Sequence, residues 1–198
     1  LVYFLPTRLL ESSALASSVL DSTATLHIYR MYAAAMRKLH CGQGLDILWH
    51  RPGAALPGAA DYLSMCTLKS GSLAGLALGR GAALAAEDKE IVTSLVTIGE
   101  RFGVSFQIID DVTNLELGNP GKERGDDLLE GKKSLPIILH SELGGSVELW
   151  RLLAEIQGRS IDTVQTEIDQ AIALMDTSGS LRASRACAVD LYRKTRAE

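Results

Sequence analysis

One short stretch of the sequence places acidic and amide side chains where they could share a metal ion. At the helical period of about 100° per residue, a single polar arc contains Gln107, Asp110, Asp111 and Asn114. Two adjacent carboxylates near an apolar interior repel each other, so one would protonate unless a cation were supplied. Mg²⁺ prefers such hard oxygen ligands, completed by waters and substrate phosphate. A solvated helix end whose aspartates face water is the alternative, and the spacing alone leaves both interpretations open.

The other directions of this segment are apolar, with Phe106, Ile108, Ile109 and Val112. Gly103 lies one turn before the polar arc and on the same side. Its missing side chain leaves room either for a ligand or for a close helix neighbour.

Basic residues that could form ion pairs with the carboxylates occur before and after the arc in the sequence. Lys69 interrupts an apolar helical face, so it either pairs inside the molecule or extends its ammonium group to water. After the arc come four further cations: Lys122, Arg124, Lys132 and Lys133. Such residues usually lie on the surface, but beside carboxylates they could help to hold both a metal ion and a polyanion.

A second polar pair lies near the N-terminal end of the chain. Gln43 and Asp46 share a helix face, in a segment that also contains Gly42 and Gly44. Each glycine costs about 1 kcal/mol in a helix relative to alanine. The two glycines therefore indicate close helix packing or space for a substrate.

The elements that would carry these residues are helical almost throughout. Between about residues 22 and 50, residues recur every three or four positions in a helical pattern, at Leu26, Tyr29, Ala33, Met36 and His40. Asp21 or Ser22 can cap the start of this helix, and Pro52 with Gly53 can end it.

Two longer helices and several shorter ones are predicted after this first helix. Pro57 opens a helix that reaches about Gly79, and Glu87 with Asp88 begins another that ends near Leu117, before a turn over residues 118–121. A charged loop, a helix reaching His140 and three shorter helical stretches follow. Alternating strand patterns are nearly absent, so we predict an all-α antiparallel helical bundle, with residues 1–198 forming one domain.

Length, composition and charge exclude several classes of protein. A chain of 198 residues with 46% hydrophobic content can bury a core and is too apolar to be disordered. A net charge of -4 argues against a nucleic-acid binder, and no apolar run approaches the ~18 residues of a membrane span. The cysteines Cys41, Cys66 and Cys187 show no CxxC spacing, so we predict packing roles in a reducing, cytoplasmic compartment.

The sequence begins at Leu1, and its first residues lack the basic flank and cleavage site of a signal peptide. This start predicts that a natural N-terminal portion is absent from the chain.

Taken together, the segments resemble the trans-isoprenyl diphosphate synthases, the polyprenyl synthetase family that includes farnesyl and geranylgeranyl diphosphate synthases. Five motifs follow the family's order between about residues 1 and 140. They are GQxxD at Gly42 to Asp46, Y…KT at Tyr62 and Lys69 with Ser70 in place of Thr, FQxxDDxxD from Phe106, GK…D at Lys122 and Asp127, and GK…LP at Lys132 to Pro136.

The resemblance implies the isoprenoid-synthase fold and a Mg²⁺-dependent prenyltransferase that condenses an allylic diphosphate with isopentenyl diphosphate, usually as a homodimer. Its implied catalytic residues are Lys69, Gln107, Asp110 and Asp111. Of these, Asp110 and Asp111 would bind Mg²⁺, with Asp127 in an outer role, and Gln107 would lie against the reacting region. The allylic diphosphate would contact Lys69, Lys122 and Lys132.

Two departures from the family pattern leave alternatives open. Asn114 stands where the motif has a third aspartate, and the family's first aspartate-rich motif is not found in these residues. The chain could belong to an active synthase whose N-terminal third is not included, or it could be a non-catalytic partner subunit of a heteromeric synthase. A terpene cyclase is a third possibility, against which the segments at Gly42 and Gly121 argue. No function is predicted after about Ser141.

Overall fold

The structure, a computed structural model, describes residues 22–85 and 88–196, and these residues contain helices but no β-strand. The α-helices are α1 Ser22–Trp49, α2 Ala59–Cys66, α3 Ser72–Ala85, α4 Lys89–Glu116, α5 Asp126–Leu129, α6 Leu135–Glu142, α7 Glu148–Ile156, α8 Gln165–Thr177 and α9 Ser180–Arg196. A π-helical segment, Thr67–Gly71, joins α2 to α3, and a 3₁₀ turn, Ile161–Thr163, precedes α8.

Most predicted helix boundaries are confirmed where capping and turn residues mark them. Asp88 caps α4 by accepting a hydrogen bond from the backbone N–H of Glu90 at 2.8 Å. Gly118 follows the end of α4 with a φ of 79°, a conformation that favours glycine. The other two predicted caps, Asp21 and Glu87, lie outside the described residues.

The predicted end of the second helix at Gly79 is wrong. The chain remains helical to Ala85, through the π-helical segment and α3. Gly79 is buried, and a side chain there would meet Val96 of α4 and Met31 of α1. This glycine therefore serves close packing between helices, and that packing outweighs its poor helix propensity.

The predicted first helix is confirmed as α1, but the recurring residues of the sequence do not mark its buried face. Its buried residues are Ile28, Tyr32, Ala35 and Leu39, whereas Leu26, Ala33 and His40 are exposed. The helix carries apolar residues on more than one side, so periodicity did not define one face. Packing selects the side that contains Gly42, where an added Cβ would lie only 2.6 Å from the backbone nitrogen of Lys69.

The centre of the bundle is α4, which packs antiparallel to α3 on one side and to α9 on another. On the α3 side, an added Cβ on Gly103 would lie 2.6 Å from the carbonyl oxygen of Ser70 and 2.8 Å from the Cα of Gly71. On the α9 side, the hydroxyl of Ser105 donates to the carbonyl of Ala188 at 2.9 Å. Gly103 thus permits close helix packing, the second of its two predicted roles.

One side of α4 is more open than the sequence indicated. Ile108 and Val112 are fully buried as expected, but Phe102 and Phe106 are 49% and 62% exposed. These two rings lie one turn apart, with centroids 6.4 Å from each other.

Among the helices that the structure describes, none combines the length and the hydropathy of a membrane-spanning segment.

Candidate functional site

Asp111 lies at the centre of a buried hydrogen-bonded cluster. Its Oδ2 accepts a hydrogen bond from the Tyr62 hydroxyl at 2.7 Å, and its Oδ1 accepts one from Gln107 Nε2 at 2.9 Å. The same Oδ1 lies 2.7 Å from Lys132 Nζ. Burial, and then the charge of Asp111, raise the pKa of Tyr62 well above its ordinary value, so the phenol remains a donor.

These contacts engage both oxygens of the Asp111 carboxylate. Its side chain is fully buried, and both carboxylate oxygens already have partners. A metal ion could reach it only if these contacts were broken. In this structure the Asp111 carboxylate positions Tyr62, Gln107 and Lys132, and its predicted role as a Mg²⁺ ligand stays a prediction.

Two lysines share a second buried carboxylate, Asp127. Lys132 Nζ lies 2.7 Å from Asp127 Oδ2, and Lys122 Nζ lies 3.1 Å from Asp127 Oδ1. Lys122 also contacts Glu130, at 3.1 Å. Burial by itself would raise the pKa of Asp127, but the two lysines lower it below its ordinary value.

The same pairing acts on the lysines in the opposite direction. Burial would lower the pKa of Lys132, but Asp111 and Asp127 raise it well above its usual range. Burial would likewise lower the pKa of Lys122, but Asp127 and Glu130 outweigh burial and raise that pKa above its ordinary value. Both lysines are therefore cationic at neutral pH.

The π-helical segment supplies the third predicted lysine. Lys69 Nζ lies 2.5 Å from Oδ2 of the buried Asp46. The next residue, Ser70, donates its hydroxyl to Gln107 Oε1 at 2.7 Å, so both ends of the Gln107 amide are held. The sequence placed Asp46 in a polar pair and in the GQxxD motif, and the structure shows that it pairs with Lys69.

All three lysines line one cavity of about 350 Å³. Lys69 is far in sequence from the other two, whereas Lys122 and Lys132 flank the short helix α5. The rest of the wall includes Gln43, Asp46, Ile47, His50 and Glu130. Sequence reasoning missed His50 and Glu130. His50 follows Asp46 by one helical turn and could have been found by that spacing, whereas Glu130 gave no signal beyond its proximity to Lys132.

Asp110 is half-buried and differs from its neighbour. Its Oδ1 accepts a hydrogen bond from Asn119 Nδ2 at 3.0 Å. Burial raises its pKa above the ordinary value, Asp111 and Asp127 raise it further, and Lys132 lowers it. Asp110 is thus a partly accessible carboxylate whose ionised form is stabilised by a nearby cation.

Asn114 is fully buried and organises the loop before α5. Its side-chain oxygen accepts a hydrogen bond from the backbone N–H of Asp127 at 3.2 Å, and its carbonyl accepts one from Gly125 at 3.0 Å. Its side-chain amide nitrogen has no hydrogen-bond partner in the structure. Asn114 therefore positions Asp127, and it does not present its oxygen to the cavity.

The two other cations that follow the arc lie elsewhere. Arg124 pairs with Asp169 of α8. Lys133 lines a separate cavity of about 140 Å³, beside Trp150 and Gln157, and burial lowers its pKa. Neither residue lines the cavity of the three lysines.

The arrangement is suited to binding a polyanion, with a metal ion shared between protein and ligand. Lysine ammonium groups are point-charge ligands for phosphate. Within residues 22–85 and 88–196, no group of three or more His, Cys, Asp or Glu side chains could hold a metal ion without other ligands.

Comparison with known proteins identifies the family. Residues 7–175 match the polyprenyl synthetase family model. The chain belongs to the polyprenyl synthetase family, and its all-α antiparallel bundle is the fold of that family. The match continues past residue 140, where the resemblance in the sequence was expected to end.

Individual relatives agree with this assignment. The chain is 33% identical over 188 residues to a geranylgeranyl pyrophosphate synthase of Gibberella zeae, covering 92% of this chain and 48% of the relative. It is similar in fold to a geranylgeranyl pyrophosphate synthetase from Pyrococcus horikoshii Ot3, with a TM-score of 0.77, 23% identity, and coverage of 89% and 53% of the two chains. A polyprenyl synthetase from Streptomyces coelicolor A3(2) has a TM-score of 0.74 and 26% identity, with coverage of 88% and 53%. The chain spans about half the length of these relatives.

Proposed function

We propose that this chain provides the diphosphate-binding part of a Mg²⁺-dependent trans-prenyltransferase, which condenses an allylic diphosphate with isopentenyl diphosphate to give a longer isoprenyl diphosphate. The observation that carries the proposal is the meeting of Lys69, Lys122 and Lys132 at one cavity. The family and the names of its relatives supply the chemical class of the substrate. A homodimer in the cytoplasm is the assembly and location that we propose with it.

In this proposal Asp110 is the metal ligand on α4. It is the more accessible of the two aspartates, and the neighbouring carboxylates that raise its pKa favour a bound cation. Mg²⁺ there would offset the negative charge of the diphosphate. Asp111 holds Gln107 and Lys132, and Asp127 holds Lys122 and Lys132.

The lysines supply the catalytic contribution of this part of the protein. When the bond between the allylic carbon and the diphosphate oxygen breaks, negative charge develops on the departing group. Ammonium groups that are already fixed by Asp46, Asp111 and Asp127 need no reorganisation at that moment. Gln107 lies on α4, the helix that carries Asp110, and both ends of its amide are held by hydrogen bonds. It forms one edge of the proposed reacting region.

The test is binding of inorganic pyrophosphate with Mg²⁺, measured by isothermal titration calorimetry. Lys69→Ala and Lys122→Ala should each weaken binding by about 10- to 100-fold, the range for a lost charge-assisted contact. Lys133→Ala is the matched control, because it removes a lysine outside the cavity. Equal affinities for all four proteins would contradict the proposal.

A second measurement addresses turnover. The complete protein, supplied with Mg²⁺, an allylic diphosphate and isopentenyl diphosphate, should release inorganic diphosphate. Binding of pyrophosphate without any turnover by the complete protein would instead support the non-catalytic partner subunit.

A further inference from the structure

Glu130 forms an ion pair with Lys122, one of the lysines that the proposed ligand needs. Its two carboxylate oxygens lie 3.1 and 3.3 Å from Lys122 Nζ, and the side chain lines the cavity. The other contact of that ammonium group is Asp127 Oδ1, at 3.1 Å. Glu130 was not singled out in the sequence, and the proposed function gives it no role.

The charges around the cavity show why this contact matters. Three ammonium groups, on Lys69, Lys122 and Lys132, face four carboxylates, on Asp46, Asp111, Asp127 and Glu130. Three positive and four negative charges leave a sum of one negative charge before Asp110 is counted. A diphosphate therefore enters a site whose cations are already neutralised, and it needs either a metal ion or the removal of a carboxylate.

Only one of these four carboxylates is free to leave. Asp46, Asp111 and Asp127 are 5%, 0% and 3% exposed, so each is fixed by its surroundings. The Glu130 side chain is 55% exposed and the Lys122 side chain 41%. An ion pair at such an exposed position contributes little stability and is readily exchanged.

We infer that Glu130 is an internal competitor of the diphosphate for Lys122, and that it sets how strongly diphosphate binding depends on Mg²⁺. This inference rests on the proposed function of the cavity. Without a metal ion, Glu130 and the diphosphate repel each other and compete for the same ammonium group. With Mg²⁺ bound, the charge of the ligand is offset and the competition is weaker.

The opposite role makes a different prediction. If Glu130 served to hold Lys122 in place for the ligand, removing its charge would loosen the lysine and weaken binding. The sign of the change in affinity therefore distinguishes a competitor from a support.

The experiment compares Glu130→Gln with Glu123→Gln by calorimetric titration with inorganic pyrophosphate, in EDTA and in saturating Mg²⁺ at neutral pH. Glu123 is an exposed residue next to Lys122 in the loop before α5, and no ion pair joins it to the three lysines in the described structure. Both variants remove one negative charge, so general charge effects cancel. Glu130→Gln should bind pyrophosphate about 3- to 10-fold more tightly in EDTA, with a smaller gain in Mg²⁺, and Glu123→Gln should match the wild type.

Each outcome decides the inference. If the wild type binds pyrophosphate through Lys69 and Lys122 but Glu130→Gln binds no more tightly than Glu123→Gln, the competitor role is wrong and the proposed function stands. If neither the wild type nor Glu130→Gln binds pyrophosphate under either condition, both are wrong. Binding in EDTA that only Glu130→Gln shows would support the competitor role strongly.

Discussion

Asp127 is the residue on which two of the three cavity lysines depend. It is 3% exposed, and each of its oxygens contacts a different ammonium group. Its lowered pKa means that the folded protein favours the ionised form. The stability from this charge is present above the unfolded pKa of about 3.9 and is lost as the pH falls through the lower folded value.

Asp127→Asn should therefore destabilise the protein in a pH-dependent way. At neutral pH we expect a loss of about 3 kcal/mol in the free energy of unfolding, the low end for a broken buried ion pair, because Lys132 keeps Asp111. The loss should begin to shrink as the pH falls below about 4, where Asp127 of the unfolded chain protonates, and it should disappear below the lower folded pKa, where wild-type Asp127 is neutral as well. Urea unfolding across this range measures it, with the exposed Asp162→Asn as control. A loss that does not change with pH would contradict the assignment.

The Tyr62 hydroxyl donates the hydrogen bond that Asp111 Oδ2 accepts. Tyr62→Phe removes only this oxygen, which leaves Asp111 Oδ2 buried without its donor. We expect a loss of about 1–3 kcal/mol in the free energy of unfolding. Because Asp111 also orients Lys132, pyrophosphate affinity should fall in the variant that remains folded. Tyr192→Phe, at a position that is 48% exposed, is the control. Unchanged pyrophosphate affinity would limit Tyr62 to a structural role.

Residue types and motif spacing were sufficient to predict the lysines of the cavity, but not the difference between the two aspartates. A helical arc shows which side chains share a face, and both Asp110 and Asp111 lie within it. Which of them is covered depends on Tyr62 and Lys132, from segments 49 and 21 residues away along the printed sequence. The burial of Asn114 escaped prediction for the same reason, since the loop before α5 covers it.

At the scale of elements, glycines determine how closely α3 and α4 approach each other. An added Cβ on Gly99 would lie 2.6 Å from the carbonyl oxygen of Ala74, and one on Gly71 would lie 2.9 Å from that of Glu100. These neighbours are backbone atoms, which cannot move aside as a flexible side chain could. The contact fixes the position of the π-helical segment, and with it Lys69, relative to Gln107 on α4.

Gly103→Ala should consequently destabilise the protein, by about 1–3 kcal/mol, because the helices must separate. Gly81→Ala is the matched control. Gly81 lies in α3, and no side chain or neighbouring helix among the described residues comes within 4 Å of an added Cβ, so alanine there should stabilise the protein by about 0.5–1 kcal/mol. Urea unfolding of both variants compares the same substitution in two environments. Destabilisation of equal size in both would show that helix propensity, and not packing, explains the effect.

Local signals predicted where helices begin and end more reliably than which face they bury. Asp88 and Gly118 mark the limits of α4 by chemistry that operates within a few residues. The buried face of α1 is instead set by contact with the π-helical segment, at Gly42 and Asp46. Periodicity cannot supply that information when a helix is apolar on more than one side.

At the scale of the whole molecule, two clusters of buried residues among those that the structure describes pack on opposite parts of α4. The site-side cluster contains Tyr62, Met65, Cys66, Val104, Ile108, Leu135, Ile138 and Ala188. The C-terminal cluster joins the end of α4 to α7, α8 and the start of α9 through Val112, Leu115, Leu149, Ile156, Ile168, Met175 and Leu181. The cavity of the three lysines borders the first cluster, because Tyr62 connects it to Asp111.

The three free cysteines differ in how deeply they are buried, so their rates of reaction with a thiol reagent should show how readily the core opens. Cys41 is exposed, Cys187 is half-buried and Cys66 is fully buried in the site-side cluster. Burial raises the pKa of Cys66 to about 12, and it also raises the pKa of Cys187. Since the thiolate is the reactive form, Cys41 should react first with Ellman's reagent at neutral pH, and Cys66 last.

Labelling of Cys66 should require the site-side cluster to open, so its rate should rise with urea in parallel with global unfolding. Mass spectrometry of each cysteine-containing peptide after timed labelling measures the three rates, and fully unfolded protein, in which all three react alike, is the control. Pyrophosphate with Mg²⁺ should slow the labelling of Cys66 but not of Cys41. A ligand that binds only the native cavity stabilises the native state by mass action, so the cluster around Cys66 opens less often. Cys66 labelling as fast as that of Cys41 in the absence of urea would contradict the packing of α2 against α4.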